Sequence, residues 1–370
     1  MTQPLTIDVA ADVFPIAGSF RISRGAKTEA HVVVVRMVLR GGGQEWQGWG
    51  ECVPYARYGE TVEGCLAQAG LVARTLEKDA LKALGAKKGP GESLAADLAA
   101  VLAALQERLQ EILAPGAARN AVDCALWDLR AAVAGQSVRA LLGLPALLAP
   151  LRTAETLSLD APAAMAARAK AKADRPLLKL KLGAEKSADC LKAIRAAAPE
   201  AALIVDANEA WAPEALPELF ALCSELGVAM IEQPLPADDD QALAEIARPV
   251  PVYADESCHT AEGLAALKDR YDGINIKLDK TGGLTGALTL AQAAEAENLE
   301  IMIGCMLATS LAMAPGLVLA DRAAFVDLDG PVLLARDRPG GLRIEQGWIQ
   351  VPAPENNTTP FLWGRLGAQT

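Results

Sequence analysis

Histidine is nearly lacking in this sequence, since only His31 and His259 occur among 370 residues. Catalytic triads, histidine-rich zinc sites and other schemes that depend on a histidine base are therefore nearly excluded. Acid–base chemistry falls instead to lysine, aspartate, glutamate, cysteine or tyrosine. His31 begins a β run, where we expect a structural role, and His259 is assigned to a loop.

Cysteine pairs, basic patches and long apolar runs are lacking as well. The seven cysteines include no Cys-x-x-Cys, which favours reduced, buried thiols. The net charge of −11 argues against nucleic acid or an anionic membrane as a partner. Apolar stretches such as 141–151 are broken by proline and fall short of the roughly 20 residues of a membrane span. The first residues show no secretory signal, so we expect a cytoplasmic protein.

The N-terminal third of the chain has the pattern of a small α+β domain. Residues 1–60 are predicted to form antiparallel β structure, in which the strand-like runs 31–40 and 46–53 flank three glycines and predict a hairpin. Apolar residues then recur at spacings of three and four over 61–113, which predicts two helices. Another helix is predicted over 121–135, ending at a glycine. We place this domain at residues 1–118.

Beyond residue 150 the pattern changes to short apolar β segments, each followed by an alanine-rich helical pattern. The polar residues that close successive segments from the second onward lie 22 to 27 residues apart, so a regular βα unit repeats. Eight segments occur: TLSLD (156–160), LLKLKLG (177–183), ALIVDANEAW (202–211), VAMIEQPL (228–235), VPVYADES (250–257), DGINIKLDKTGG (272–283), LEIMIGCM (299–306) and AAFVDLDGP (323–331).

Eight βα units is the count of a (β/α)8 barrel, a fold that takes about 250 residues. The sequence therefore predicts an α/β protein with such a barrel over residues 119–340. A C-terminal segment, 341–370, is predicted to pack back on the N-terminal domain. The rival doubly wound sheet would be expected to carry a glycine-rich phosphate loop, and neither G-x-G-x-x-G nor G-x-x-x-x-G-K-[ST] occurs.

Three consecutive β segments end in carboxylates: Asp206, Glu232 and Asp255. The C-terminal ends of barrel strands point into the site, where converging acids repel one another unless a cation neutralises them. Oxygen ligands without histidine or cysteine favour Mg²⁺ or Mn²⁺. The alternative is a separate salt bridge for each acid. Neighbouring polar residues are predicted to support the acids from behind: Asn208, Gln233 and Glu256.

Three lysines also lie in the strand runs. Lys179 and Lys181 are two residues apart and thus on one face of a strand, while Lys277 lies four strands later, across a barrel. An amine beside another cation in a partly desolvated pocket has a lowered proton affinity and can act as a base. Amines on opposite sides of a metal-held carboxylate suit proton removal from one face of an α-carbon and return to the other. Ordinary surface lysines are the alternative.

The last β segment closes with Asp327 and Asp329, again two acids on one face. Such a pair predicts a cationic group on the substrate, most naturally an ammonium. A helix N-cap or a salt bridge in a loop is the alternative.

The ordered series of these motifs resembles the enolase superfamily, in its muconate lactonizing subgroup, and within that subgroup the dipeptide epimerases. The resemblance covers essentially the whole chain. It is carried by Lys179-x-Lys181, Asp206-Ala-Asn208, Glu232-Gln233-Pro234, Asp255-Glu256-Ser257, Lys277 in IKLDKTGG, and Asp327-x-Asp329-Gly-Pro.

The resemblance implies a Mg²⁺ ion on Asp206, Glu232 and Asp255 that holds the C-terminal carboxylate of a dipeptide. It implies Lys181 and Lys277 as the two acid/bases with Lys179 assisting. It also implies pairing of Asp327 and Asp329 with the α-ammonium. The leading substrate is L-Ala-D/L-Glu, from recycling of peptidoglycan peptides, and a homo-oligomer is expected.

The resemblance further implies that the N-terminal domain caps the barrel and reads the substrate side chain through loops near 15–30 and 50–60. An acidic side chain would need a basic partner there, and the sequence leaves that partner open. The basic residues of these loops are Arg21, Arg24, Lys27 and Arg57.

Two other functions remain open on the same scaffold. One is a cycloisomerase, or an o-succinylbenzoate synthase that also racemises N-acyl amino acids. Cycloisomerase relatives tend to carry an acid near the position of Ala308, which makes lactone chemistry a poorer fit. The other is a barrel without catalytic activity that serves as a binding module.

Overall fold

The computed structural model describes residues 3–86, 94–147, 150–350 and 363. Its N-terminal part is an antiparallel sheet of three strands in the order β1-β2-β3. These strands are β1 (Leu5–Ile22), β2 (Gly25–Gly41) and β3 (Gln44–Cys52). The predicted hairpin is the β2/β3 pair, and β1 adds a third strand that the sequence patterns did not single out.

The stretch 15–30, predicted as a loop region, is instead the far end of the β1/β2 hairpin. Ile22 pairs with Gly25, so that Ser23 and Arg24 form the turn, and the register shifts once between Pro15 and Phe20. Strand structure forms here because ladder hydrogen bonds to β2 satisfy the backbone of β1. The loop expected near 50–60 is present after β3 ends at Cys52.

Three long helices pack near this sheet: α1 (Val62–Ala86), α2 (Leu94–Ile112) and α3 (Ala117–Ala134). Helix α3 rests on β3 at Gly48 and Gly50, where any Cβ would collide with backbone carbonyl oxygens of α3. It ends as predicted at Gly135, in the left-handed conformation with φ 64°, but begins four residues earlier than predicted. Its buried side chains belong to the cores of both the sheet and the barrel, so α3 joins the two parts.

The second part is a curled sheet of eight parallel strands in sequential order, which confirms the predicted barrel. Each strand overlaps one of the eight predicted segments. The strands are β5 (Glu155–Leu157), β6 (Leu177–Lys181), β7 (Ala202–Asp206), β8 (Val228–Glu232), β9 (Val252–Ala254), β10 (Gly273–Lys277), β11 (Glu300–Gly304) and β12 (Phe325–Val326).

The first and last strands approach each other, because the N–H of Ala154 donates to the carbonyl of Val326 at 2.8 Å. A separate layer of buried side chains comes from around the barrel: Ala154, Leu177, Ile204, Met230, Tyr253 and Met302. This layer packs the interior below the strand ends, so the barrel has a filled core and a site at its C-terminal end.

Helices connect the strands, although less regularly than predicted. The short helix α4 (Val138–Leu141) precedes the barrel. The barrel helices are α5 (Pro162–Ala171), α6 (Ser187–Ala197), α7 (Leu216–Glu225), α8 (Leu278–Thr281), α9 (Leu284–Ala296), α10 (Ser310–Met313) and α11 (Gly330–Leu333). After β8 and β9 the connections contain only 3₁₀ turns, Gln241–Ala244 and Leu264–Ala266, in place of the predicted helices.

A small sheet in the order β13-β14-β4 completes the described fold. Its strands are β4 (Leu151–Arg152), β13 (Ile344–Glu345) and β14 (Trp348–Ile349). Most of the predicted returning segment, 351–362 and 364–370, lies outside the described residues. Trp363 is described, and its Nε1 donates to the carbonyls of Trp49 at 2.8 Å and Cys124 at 3.2 Å.

The seven cysteines are free thiols; six are buried, as predicted, and Cys305 is partly exposed. Among the described residues no helix combines the length and the apolar character that a membrane crossing requires.

Candidate active site

Three predicted metal ligands converge at the C-terminal end of the barrel. Asp206 ends β7, Glu232 ends β8 and Asp255 follows β9 directly. All three are buried, and one oxygen from each lies within 4.8 Å of the others. The parallel arrangement causes this convergence, because neighbouring strands end at the same edge of the sheet. A set of three carboxylates without sulfur or nitrogen donors fits a hard divalent cation.

The three predicted lysines reach these acids. Lys179 Nζ lies 2.6 Å from Glu232 Oε2 and 3.2 Å from Asp206 Oδ2. Lys181 Nζ donates to Asp206 Oδ2 at 2.5 Å, and Lys277 Nζ donates to Asp255 Oδ2 at 2.7 Å. We call this set of six residues the carboxylate–lysine centre: Lys179, Lys181, Asp206, Glu232, Asp255 and Lys277.

Lys181 and Lys277 approach the acids from opposite sides. Lys181 ends β6 and Lys277 ends β10, which are four positions apart in the order of eight strands. Each lysine bonds a different carboxylate, Asp206 on one side and Asp255 on the other. A substrate atom held between the two amines would therefore present a different face to each of them.

The charges of the centre shift its pKa values strongly. Burial would raise the pKa of Asp206 and Asp255, but neighbouring ammonium groups outweigh burial and hold both pKa values below their usual range. Burial and the charge of Asp206 raise the pKa of Glu232 to about 7. Burial disfavours the charged form of Lys277, yet Asp255 and Glu232 raise its pKa well above the ordinary value. Ammonium groups thus balance the acids on which a divalent cation would bind.

Asp327 and Asp329 lie behind Lys179. Asp327 Oδ2 accepts from Lys179 Nζ at 2.8 Å, while its Oδ1 is buried without a hydrogen-bond partner among the described residues. Asp329 Oδ2 accepts from the N–H of Thr156 at 2.6 Å. Burial and the charge of Asp327 raise the pKa of Asp329 to about 7. The free Oδ1 of Asp327 leaves one buried acceptor for a cationic donor.

The residues predicted to support the acids do so unequally. Gln233 Oε1 accepts from the N–H of Asp255 at 2.9 Å. Asn208 acts through its backbone, whose N–H donates to Asp206 Oδ1 at 2.9 Å. Glu256 bonds none of the three converging acids in the described structure; its Oε1 instead accepts from Arg24 Nη2 at 2.6 Å. Burial and the charge of Asp255 raise the pKa of Glu256 to about 7.

Two buried residues that hydrogen-bond the acids, Asn275 and Lys280, were not predicted from the sequence. Asn275 Nδ2 donates to Glu232 Oε1 at 2.7 Å. Lys280 Nζ donates to Asp255 Oδ1 at 2.8 Å and to the carbonyl of Asn275 at 3.0 Å. Strand alternation could have identified Asn275, which lies two residues before Lys277 and so on the same face. Lys280 stands on α8, where its local pattern carries no signal of the contact.

A cavity of about 840 Å³ lies between the N-terminal domain and the strand ends. Among the basic residues expected to read a substrate side chain, Arg24, Lys27 and Arg57 line the cavity, whereas Arg21 is not among its lining residues. The cavity also reaches Lys181 and Lys277. The N-terminal domain therefore caps the centre with two segments, residues 23–27 and 55–58, which we call the cap turns.

The three basic residues of the cap turns have different surroundings. Arg24 donates to Tyr55, Glu209 and Glu256 as well as to the carbonyl of Asn208. Arg57 donates two hydrogen bonds to Glu209, at 3.0 and 2.8 Å. Lys27 Nζ lies 5.3 Å from the ring centroid of Tyr55, and burial lowers its pKa.

The second cap turn also touches the barrel through an aromatic contact. The rings of Tyr58 and His259 meet edge to face with centroids 4.4 Å apart. His259 thus contacts the cap turn, and burial and Lys280 lower its pKa. Sequence reasoning did not single out Tyr58 or Glu209.

Comparison with known families assigns both parts of the chain. Residues 5–143 match the mandelate racemase/muconate lactonizing enzyme N-terminal domain, and residues 163–355 match the enolase C-terminal domain-like family.

Three individual relatives match over 80% or more of this chain. An L-Ala-D/L-Glu epimerase of Escherichia coli K12 is 44% identical over 94% of this chain and 99% of its own. An N-acetyl-D-glutamate racemase of a Pseudoalteromonas species is 41% identical, over 80% of this chain and 86% of its own. An Agrobacterium tumefaciens enolase family member with homology to dipeptide epimerases was solved with sodium and L-Ala-L-Glu. It superposes with a TM-score of 0.83 at 47% identity and covers 95% of this chain and 99% of its own.

Proposed function

The chain belongs to the enolase superfamily, in the branch of mandelate racemase and muconate lactonizing enzymes, and on that premise we propose that it is a Mg²⁺-dependent dipeptide epimerase. The reaction would invert the α-carbon of the C-terminal residue, with L-Ala-D/L-Glu as the leading substrate. The observation that carries this proposal is the placement of Lys181 and Lys277 on strands four apart, on opposite sides of the carboxylate cluster. Inversion needs one acid/base on each face of the α-carbon.

Asp206, Glu232 and Asp255 would hold the divalent cation. Their buried oxygens converge within 4.8 Å, and their charge is otherwise balanced only by ammonium groups in the described part of the chain. When bound, the cation supplies positive charge that stabilises the substrate carboxylate as it gains enediolate character.

The lysines would carry the proton transfer. In this proposal Lys181 removes the α-proton from one face, and Lys277 donates a proton to the other, with the reverse assignment for the opposite epimer. Lys179 lies against Glu232, Asp206 and Asp327 and would assist by fixed positive charge. All three lysines are buried, although the cavity reaches Lys181 and Lys277, and a bound substrate would displace water from these two amines.

Two further groups would orient the dipeptide. The buried Oδ1 of Asp327 lacks a hydrogen-bond partner among the described residues and would accept from the α-ammonium, with Asp329 beside it. Arg24 would pair with an acidic substrate side chain, since it lines the cavity and bonds Glu256, which follows Asp255 directly, whereas Arg57 bonds Glu209. Lys27 and Arg57 would contribute positive potential at the same wall of the cavity.

A racemase of N-acyl amino acids is the second candidate. The Pseudoalteromonas relative, named as an N-acetyl-D-glutamate racemase, favours it. An acylated nitrogen carries no positive charge, however, and would leave the buried Asp327 Oδ1 without a cation to bind. We therefore rank the dipeptide first.

Proton NMR in D₂O separates the candidates. The protein with Mg²⁺ should exchange the α-proton of the glutamate residue in L-Ala-L-Glu and produce L-Ala-D-Glu, and N-acetyl-L-glutamate should exchange far more slowly. The reverse preference would support the second candidate. Absence of exchange over a broad set of dipeptides and N-acyl amino acids would leave the non-catalytic binding module.

We further propose that the reaction serves recycling of peptidoglycan peptides in the cytoplasm. An assembly of identical chains also stays a prediction, which sedimentation of the purified protein would test.

A further inference from the structure

Glu209 lies three residues after Asp206 and contacts both cap turns at once. Its carboxylate accepts from Arg24 Nη1 at 2.9 Å, from Arg57 Nε and Nη2 at 3.0 and 2.8 Å, and from the N–H of Ala237 at 2.9 Å. The side chain is only 8% exposed. One carboxylate therefore ties two separate segments of the N-terminal domain to the barrel.

The backbone at Glu209 is held in an uncommon conformation to make these contacts. Asn208 and Glu209 have φ values of 45° and 66°, in the left-handed region that residues other than glycine rarely adopt. The N–H of Asn208 bonds Asp206 Oδ1, and the N–H of Glu209 bonds the carbonyl of Gln233. The same segment thus fixes a candidate metal ligand on one side and the cap turns on the other.

Both terminal nitrogens of Arg24 are engaged by this arrangement. Its Nη1 donates to the carbonyl of Asn208 and to Glu209, and its Nη2 donates to Tyr55 and Glu256. The guanidinium is therefore fixed in direction. Arg57 is held by Glu209 alone among the described hydrogen bonds of its side chain. Without the carboxylate between them, the two guanidinium groups would repel each other.

We propose that Glu209 is a positioning residue that sets the preference for acidic substrate side chains, because it holds Arg24 and Arg57 in place above the barrel. This inference rests on the proposed function, in which Arg24 pairs with the substrate side chain. Glu209 itself touches neither the substrate nor the metal in this scheme. Its loss should therefore change recognition more than chemistry.

Glu209→Gln tests the inference, since glutamine keeps the size of the side chain but turns a donor toward groups that are themselves donors. For L-Ala-L-Glu we expect kcat/KM to fall about ten-fold, mainly through KM. For the neutral isostere L-Ala-L-Gln the fall should be less than about three-fold. Glu218→Gln on the exposed face of α7 is the matched control and should change neither value.

A purely structural role predicts a different result. Equal losses for both dipeptides, accompanied by a lower unfolding temperature, would overturn the inference. A double-mutant cycle with Arg57→Gln sharpens the test, because residues that act through one contact give non-additive effects. Additive effects on the ratio of the two kcat/KM values would also count against it.

Two measurements without turnover separate this inference from the proposed function. In Glu209→Gln, amide hydrogen exchange should increase within residues 20–29 and 53–60, while Mn²⁺ affinity measured by calorimetry stays within about two-fold of wild type. Unchanged exchange in both segments overturns the positioning role whether or not any dipeptide reacts. If the exchange increases but wild type epimerises no dipeptide, the positioning role stands and the proposed function fails.

Discussion

The carboxylate–lysine centre and the cap turns both pair acids with cations, but in opposite settings. In the centre, the side chains of Lys179 and Glu232 are 2% and 0% exposed and stand on strands of the barrel. In the cap turns, Arg24 and Arg57 are 26% and 34% exposed and stand outside regular ladders. Electrostatic interactions strengthen as water is excluded, so equal contacts carry unequal free energies in the two regions.

The two regions therefore suit different tasks, namely proton transfer in the centre and substrate recognition in the cap turns. Side chains on packed strands keep their geometry, which proton transfer requires, whereas turns tolerate change and suit recognition. Changes in the centre should abolish turnover for every substrate. Changes in the cap turns should alter the choice among substrates.

Removal of divalent cations should have the largest effect and abolish epimerisation. Asp206, Glu232 and Asp255 would then have lysines as their only cationic partners among the described residues, and the substrate carboxylate would lack its anchor. Dialysis against a chelator followed by the NMR assay measures the loss, and added Mg²⁺ should restore activity and raise the unfolding temperature. Full turnover by protein shown to be metal-free would contradict the assignment.

Replacement of either opposed lysine should come next, with a fall in epimerisation of about 10³-fold or more. Lys181→Ala and Lys277→Ala should each retain α-proton exchange with only one of the two diastereomers, because each variant keeps a base on one face. Deuterium incorporation into L-Ala-L-Glu and L-Ala-D-Glu, followed separately, checks this. If either variant exchanges both diastereomers at equal rates, the opposed arrangement is wrong.

Arg24→Gln should have a selective effect. We expect kcat/KM for L-Ala-L-Glu to fall about 30- to 100-fold, because a partly buried charged hydrogen bond is lost, and that for L-Ala-L-Gln to change less than about three-fold. Arg21→Gln, on the same hairpin but not among the residues that line the cavity, is the control. Equal losses of kcat/KM for both dipeptides would instead show that Arg24 stabilises the carboxylate–lysine centre and does not recognise the side chain.

The smallest expected effect is on the pH dependence of stability, at the contact of Asp279 in the barrel with Val53 and Asn120. Asp279 Oδ1 accepts from the N–H of Val53 and from Asn120, and burial raises its pKa to about 7. The folded state thus binds this proton more tightly than the unfolded state, whose pKa is 3.8. This proton therefore contributes fully to the free energy of unfolding below the unfolded-state pKa of 3.8. The contribution is lost as pH rises through the folded-state pKa of about 7.

Urea unfolding at pH 5 and pH 8 tests this contact. From pH 5 to pH 8, the free energy of unfolding of the wild type should fall by about 2–3 kcal/mol more than that of Asp279→Asn. Asparagine keeps the Oδ1 acceptor, so its fold should persist. An identical pH dependence in both proteins would show that Asp279 is ionised throughout.

Sequence patterns predicted the barrel because its strands repeat with one period and end in polar residues. They were less informative for the connections, where the segments after β8 and β9 form 3₁₀ turns in place of helices. They placed residues 1–60 in antiparallel β structure but did not delimit β1, whose strand structure depends on pairing with β2. Strand alternation could have predicted the position of Asn275. It could not have predicted Lys280 or Glu209, because only the tertiary packing brings Lys280 to the acids and Glu209 to the cap turns.

The amino-acid sequence by itself determined the eight-stranded barrel and the convergence of three acids and three lysines, because strand alternation and strand ends are local features that dictate where a side chain points. Only the tertiary structure decided which basic residue stands at the centre of the cap. Arg24 meets Glu209 and Glu256 across 185 and 232 residues of chain, and contacts over such separations depend on how the two domains pack.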